Sequence, residues 1–188
     1  LGVPQSVTCV DKSNVLRGCQ LFRSIFREIA ESYPQIGAKE AYIDAFTMWL
    51  VRDPEDLDVV VLPNMFGDIA TDLASVLQGG MGMAASANLG DKHMMFEPVH
   101  GSSPKHAGKN RVNPIAMLSS LQLMLENLSL RHDDPLLDKY GNILQQAISQ
   151  HLSSEGPKTY DIGGTGTTSE VGDAIADRVR TLLKNEKA

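Results

Sequence analysis

The sequence has few cysteines, no excess of positive charge and no long apolar run. Its 188 residues include only two cysteines, Cys9 and Cys19, without a CxxC spacing, so we expect two buried thiols in a reducing cytosol rather than a disulfide framework. The formal net charge of −6 argues against nucleic acid or an anionic membrane surface as a partner, because both attract a basic face. No run approaches the roughly 18 apolar residues of a membrane span, and no signal peptide is recognisable, so we expect a cytoplasmic protein.

What the sequence does contain is an alternation of strand and helix patterns. Apolar residues make up 42% of the chain, enough for the core of one or two domains. Strand and helix patterns alternate up to about residue 76, which predicts an α/β fold with a mostly parallel sheet flanked by helices. Helical patterns dominate afterwards, so we predict a domain boundary between residues 1–76 and 77–188. The apolar alternation starts almost at Leu1, as if in mid-fold, and we expect a fragment of a longer protein.

Turn and breaker residues delimit the predicted elements. Strands are predicted over 5–10, 38–43, 58–62 and 94–96, and helices over 14–31, 45–52, 66–78, 114–129, 138–153 and 168–184. The run over 58–62 is continuously apolar, which is typical of a strand buried on both faces. The glycine-rich residues 79–92 are predicted to form a loop.

Two aspartates follow the apolar run over 58–62. Asp68 and Asp72 in "NMFGDIATDL" are four residues apart, so on a helix they share one face, where like charges are destabilising. A divalent cation such as Mg²⁺ would neutralise them, and the carboxyl ends of parallel strands are where α/β folds bind ligands. Alternatively, Asp68 favours the start of the helix and Asp72 is solvated.

Asp44 and Lys12 also follow predicted strands. Three strand ends therefore bring charged groups to what could be one edge of the sheet. A lysine near a metal and other cations is a candidate general base, because those surroundings favour its neutral form. Alternatively, Lys12 is a solvated surface lysine.

The segment "GMGMAA" over 80–85 fits the dinucleotide fingerprint G-x-G-x-x-A. That fingerprint requires a preceding strand and a helix that opens within it. Here a predicted helix precedes the glycines, so we reject a Rossmann interpretation.

Five motifs in order identify a resemblance that covers the chain from about residue 5 to its C-terminus. They are "VDKSNVL" (10–16), "YIDAFTMWLVRDP" (42–54), "NMFGDIATDLASVL" (64–77), "FEPVHGSSPKHAGKNRVNP" (96–114) and "DIGGTGTT" (161–168). Together they resemble the C-terminal half of the isocitrate/isopropylmalate dehydrogenase family. The resemblance implies that residues 1–76 belong to the small, dimer-forming domain and 77–188 to the large, coenzyme-binding domain.

The resemblance also implies roles for the charged residues. Lys12 corresponds to the family's acid/base, and Asn14 lies near the nicotinamide and the substrate. The Mg²⁺ or Mn²⁺ ligands correspond to Asp44, Asp68 and Asp72. The family takes the lysine and the first aspartate from one subunit and the other two aspartates from the second, so we expect a homodimer with a shared active site.

The loop over 97–114 resembles the family's coenzyme loop. The residues that by this match contact the coenzyme are Glu97, His100, Gly101, Ser102 and Asn113. For His100, a structural role in the loop is the alternative.

Coenzyme choice depends on Lys105, where NAD-using members usually carry an aspartate. A cation suits a 2′-phosphate, and the Pro-Lys-aromatic-Ala-Gly pattern resembles NADP-using isocitrate dehydrogenases, with His106 in the place of their tyrosine. Tyr160 matches their phosphate-contacting tyrosine, but their arginine four residues later is Gly164 here. We expect NADP; alternatively, Lys105 is solvated and the coenzyme is NAD.

The implied reaction is the oxidative decarboxylation of a 2-hydroxy-3-carboxy acid, a small di- or tricarboxylate. Isopropylmalate, isocitrate and homoisocitrate stay open as substrates. The residues that would distinguish them lie in the N-terminal half of the family's sequence, which this chain does not match. Two alternatives are a non-catalytic regulatory subunit of a hetero-oligomeric isocitrate dehydrogenase and an inert fragment. The retained Lys12, Asp44, Asp68, Asp72 and His100 argue against the regulatory subunit.

Overall fold

The computed structural model describes residues 5–185, and the chain divides into two compact units, Leu1–Ala74 and Ser75–Ala188. We describe each unit by itself. The first contains a parallel sheet with helices, which confirms the predicted α/β fold, and the second is mainly helical with one antiparallel pair of strands.

The sheet of the first unit has three strands in the order β2-β1-β3. They are β1 (Ser6–Asp11), β2 (Gly37–Tyr42) and β3 (Val59–Val61). Strand β1 lies in the centre and pairs in parallel with both neighbours, from Ser6 opposite Gly37 to Asp11 opposite Tyr42. The central position explains why Cys9 and Val10 have no exposed surface.

Three helices accompany this sheet: α1 (Arg17–Ala30), α2 (Ile43–Arg52) and α3 (Asn64–Ser75). The buried core of the unit is formed by Val10, Ala41, Phe46, Leu50 and Ala70. Helix α2 begins at Ile43, directly after the last residue of β2, so no loop separates the strand from the helix.

The prediction that the strand over 58–62 is buried on both faces is wrong. Strand β3 spans only three residues at the edge of the sheet, and Val59 is 41% exposed. An apolar run shows that a segment is compatible with burial, but the packing of helices on the sheet decides whether both faces of a strand are covered. The apolar row on α1 is also exposed at Leu21, Ile25 and Ile29.

The second unit begins with an antiparallel pair, β4 (Ala85–Leu89) and β5 (Met94–Pro98), in register from Ala85 opposite Pro98. Strand β4 lies within residues 79–92, so the prediction of a loop there is wrong. Its sequence "ASANL" has no clear apolar alternation, and the strand is defined by its pairing with β5.

Helices α4 (Ile115–His132), α5 (Pro135–Leu152) and α6 (Thr168–Asn185) complete the second unit. Their buried core consists of Ile115, Leu144, Ala147, Ile148, Val171 and Ile175. Helix α5 begins three residues before the predicted start, because Asp134 caps it by accepting from the Leu136 N–H and Pro135 occupies its first position.

Both cysteines are free and buried, as predicted. Burial, aided by the neighbouring Asp11 carboxylate, raises the pKa of the Cys9 thiol to about 11. Cys9 is therefore an unreactive thiol of the core. Among residues 5–185, none of the helices combines the length and the apolar character that a membrane span needs.

Candidate active site

Lys12 and Asp44 lie in direct contact at the carboxyl end of the parallel sheet. The Lys12 Nζ is 2.5 Å from the Asp44 Oδ1. Lys12 follows β1 and Asp44 lies in the first turn of α2 directly after β2, so the parallel pairing of the two strands brings the side chains together. The hydrogen bond from Lys12 lowers the pKa of the Asp44 carboxyl, which keeps that group ionised.

The turn that carries Lys12 is held by a buried ion pair that was not predicted from the sequence. Asp11 is fully buried and accepts hydrogen bonds from Arg23 at 2.8 and 2.9 Å and from the Ser13 N–H at 2.7 Å. Burial alone would raise the pKa of the Asp11 carboxyl, but these bonds outweigh it and lower the pKa. A charged residue at the end of a central strand was the available signal, because such a group needs a partner when it is buried.

Asn14 lies in the same turn with its side chain exposed. This turn places Asn14 two residues from Lys12 at the same end of the sheet. Its predicted proximity to the nicotinamide and the substrate stays a prediction.

Asp68 and Asp72 are one turn apart on α3, and both are exposed. Their carboxylates suit a hard divalent cation. Within the part of the chain that the structure describes, however, no group of three or more His, Cys, Asp or Glu side chains lies close enough to hold a metal ion. One copy of the chain thus brings Lys12 and Asp44 together but does not gather Asp44, Asp68 and Asp72 into one ligand set.

The second unit contains a pocket of about 670 Å³, in the usual range for a small-molecule site. Three segments form it: the glycines before β4, the loop after β5 and the loop before α6. The predicted coenzyme residues that line it are His100, Gly101, Ser102, His106, Asn113 and Tyr160. Glu97 and Lys105 are exposed and are not among its lining residues.

The long loop after β5 is anchored to the start of α6. Asn110 accepts from the Ser169 N–H and hydroxyl at 3.1 and 3.0 Å, and its carbonyl accepts from the Thr168 N–H at 3.0 Å. The Thr168 hydroxyl donates to the Val112 carbonyl at 2.5 Å. Since these bonds fix one side of the pocket, the loop is preformed rather than dependent on a ligand.

Asn113 joins two walls of the pocket. Its amide nitrogen donates to Asp161 at 3.0 Å, and its amide oxygen accepts from the Ile115 N–H at 3.0 Å, at the start of α4. Only 6% of Asn113 is exposed. The side chain therefore positions the loop, and its predicted contact with the coenzyme stays a prediction.

The first three residues of the "GMGMAA" segment line the same pocket, and the segment does not form a dinucleotide fingerprint. It follows the short 3-10 helix Val76–Gln78 and leads into β4, so the strand–turn–helix arrangement is absent there. A side chain at Gly82 would come within 2.6 Å of the Asp161 carboxylate, which explains the need for glycine.

Tyr160 presents an aromatic ring to the pocket, and two basic side chains from the loop after β5 lie near that ring. The His106 ring stacks on it with centroids 5.9 Å apart, and the Arg111 guanidinium carbon lies 4.2 Å from its centroid. Arg111 lies in the quoted coenzyme-loop motif between His106 and Asn113, yet the sequence alone assigns it no role. A concave, glycine-lined pocket with aromatic surface and basic groups suits an aromatic base with an attached anion.

Comparison with known proteins identifies the family of this chain. A model of the family described as isocitrate/isopropylmalate dehydrogenase matches residues 3–175. The 3-isopropylmalate/3-methylmalate dehydrogenase of Methanocaldococcus jannaschii is 42% identical over 181 residues, 96% of this chain and 52% of that relative.

Two solved structures are similar in fold. Isocitrate dehydrogenase from Methylococcus capsulatus gives a TM-score of 0.87 at 37% identity, covering 94% of this chain and 51% of that one. A beta-decarboxylating dehydrogenase from Thermococcus kodakarensis gives 0.82 at 38% identity, with coverages of 97% and 52%. The chain thus spans about half the length of the curated relatives it matches.

Proposed function

The chain belongs to the isocitrate/isopropylmalate dehydrogenase family, and we propose that it serves the NAD(P)-dependent oxidative decarboxylation of a 2-hydroxy-3-carboxy acid. The proposed substrate is of the isopropylmalate or isocitrate type. The observation that carries the proposal is the contact between Lys12 and Asp44 at the carboxyl end of the parallel sheet. Because this chain covers about half of its relatives, the activity is proposed for the whole protein.

Lys12 is the proposed acid/base. Its side chain would take up the proton of the substrate hydroxyl as the hydride of carbon 2 passes to the coenzyme. Asp44 holds the lysine Nζ in place through the 2.5 Å contact. Arg23 and Asp11 fix the turn below it, so the amine is positioned from two sides.

Asp44, Asp68 and Asp72 are the proposed ligands of Mg²⁺ or Mn²⁺. When bound, the cation would acidify the substrate hydroxyl and stabilise negative charge on its oxygen after loss of CO₂. Since one copy does not gather the three carboxylates, we propose that a second copy completes the set.

Exposed apolar side chains support this homodimer. Helices α2 and α3 expose Met48, Val51, Met65 and Ile69 by half or more of their surface. Large exposed apolar side chains are typical of a protein interface. We place the dimer in the cytoplasm, where the free thiols of Cys9 and Cys19 remain reduced.

The pocket of the second unit is the proposed coenzyme site, with NADP preferred over NAD. Basic and aromatic groups, His100, His106, Arg111 and Tyr160, line it together with glycine backbone. Anionic phosphates and an adenine ring match these groups.

The test is formation of NAD(P)H from isopropylmalate, isocitrate and homoisocitrate with Mg²⁺, using the whole protein. We expect turnover with one of them, loss of turnover with a chelator, and a fall of at least about 100-fold for Lys12→Met. Lys39→Met, which changes an exposed lysine on β2, is the matched control and should keep full activity. Absence of turnover across the panel with either coenzyme would refute the proposal.

A further inference from the structure

Arg111 is a cation of the pocket that no part of the resemblance assigns to the coenzyme. Its guanidinium lies over the Tyr160 ring, and the residue lines the pocket. Within residues 5–185, no carboxylate lies at ion-pair distance from Arg111. Its charge is therefore not neutralised by that part of the protein.

The position where NADP-using relatives carry an arginine cannot hold a side chain here. Gly164 lies in a tight turn, with its N–H donating to the Thr159 carbonyl at 2.9 Å. A Cβ atom at Gly164 would overlap the Lys158 carbonyl oxygen and carbon, which are backbone atoms and cannot move aside cheaply. A cation beside Tyr160 must come from another part of the chain.

Lys105 does not supply that cation in this structure. It lies in the short 3-10 helix Pro104–His106, is exposed and is not among the residues lining the pocket. Arg111 is on the pocket wall and contacts the ring to which the resemblance assigns the phosphate.

The chemistry of the two side chains also favours the arginine. A guanidinium that stacks on an aromatic ring covers its face and leaves its N–H edge available. That edge binds two oxygens of one phosphate, whereas a lysine ammonium acts as a point charge. Among the described residues, Asp161 is the carboxylate that lines the pocket. It accepts a hydrogen bond from Asn113 and does not form an ion pair with Arg111.

We propose that Arg111, stacked on Tyr160, selects a coenzyme whose adenosine carries a 2′-phosphate. The inference rests on the coenzyme site proposed above and names the residue that determines its specificity. Arg111 thereby takes over the role of the arginine that Gly164 replaces.

The experiment measures binding of two probes by calorimetry, adenosine 2′,5′-bisphosphate and adenosine 5′-monophosphate, which differ only in the 2′-phosphate. For Arg111→Met we expect affinity for the bisphosphate to fall at least about 10-fold, as for loss of a charge-assisted hydrogen bond. Affinity for the monophosphate should change less than about 2-fold. Lys105→Met is the matched control and should weaken bisphosphate binding less than Arg111→Met does.

Three results would overturn the inference. An equal loss for both probes would show that Arg111 acts on the base or through Tyr160. An unchanged affinity of Arg111→Met for the bisphosphate would show that Arg111 does not bind the 2′-phosphate. A larger loss of this affinity in Lys105→Met than in Arg111→Met would assign the phosphate to Lys105. Failure of the unmodified protein to bind either probe would instead refute the coenzyme site itself. Thermal unfolding of each variant verifies that the fold is intact.

Discussion

Arg23 donates two hydrogen bonds from its guanidinium, at 2.8 and 2.9 Å, to the buried carboxylate of Asp11. The same guanidinium donates to the Ala41 carbonyl at 2.9 Å and thereby links α1, β1 and β2. Asp11 is the residue before Lys12, so this pair determines where the proposed acid/base lies.

Replacement of Arg23 by methionine should destabilise the protein by about 3–5 kcal/mol, because the Asp11 charge would remain buried without its partner. Chemical denaturation at pH 7 measures the free energy of unfolding. Arg27→Met is the matched control, since Arg27 is an exposed arginine one turn after Arg23 on α1 and pairs with Glu40 of β2. Little change is expected for this control, and an equal effect of the two variants would contradict the structural role of the buried pair.

Asp68→Asn should weaken binding of Mn²⁺ at least about 10-fold, because the substitution removes a carboxylate charge from the proposed ligand set. Calorimetric titration of Mn²⁺ measures this affinity. Asp91→Asn, which removes an exposed carboxylate in the turn between β4 and β5, is the control and should bind as the unmodified protein does. Unchanged affinity in Asp68→Asn would remove this residue from the ligand set.

The free energy of unfolding should fall below about pH 6.5 because of His151. Burial is the main cause that lowers the pKa of His151 in the folded protein, and the charges of Arg178 and Lys158 lower it further. Below the ordinary pKa of about 6.5 the unfolded chain binds a proton that the folded protein does not. Stability is therefore complete above that pH and declines as the pH falls toward the folded-state pKa.

The expected slope is up to about 1.4 kcal/mol per pH unit. Urea unfolding at pH 7.5 and 5.5 measures it. His151→Gln should reduce this dependence, whereas His132→Gln, at an exposed position near the end of α4, should preserve it. A dependence that is the same in both variants would rule out His151 as its source.

Ile69→Lys should convert the proposed homodimer to a monomer, because it places a charge among the exposed apolar residues of α2 and α3. Light scattering coupled to size exclusion measures the mass. Leu130→Lys changes an even more exposed residue, 83% accessible, on α4 and should leave the dimer intact. A monomeric unmodified protein, or a dimer in both variants, would contradict this interface.

Local patterns predicted most of the helices because the relevant information is contiguous in the chain. The caps at Asp134 and Thr167 act within a few residues, and the Thr167–Glu170 pair exchanges hydrogen bonds at the start of α6. The proximity of Lys12 and Asp44 could likewise be predicted from the sequence, since each residue follows a strand of a sheet predicted to be parallel.

Strand β4 and the exposure of β3 could not be obtained in this way. The sequence "ASANL" has no pattern of its own that requires a strand, and pairing with Met94–Pro98 is what makes it one. Val59 belongs to an apolar run, yet only the order β2-β1-β3 places it at an edge.

The sequence by itself determined the family, the α/β class and the identity of the charged residues at the strand ends, because motifs and periodicity depend on neighbours along the chain. Only the tertiary structure decided that Arg23 neutralises Asp11 and that Arg111 rather than Lys105 lines the pocket. These relationships join residues that are distant in sequence. Their distances follow from the packing of helices and loops, which no local pattern specifies.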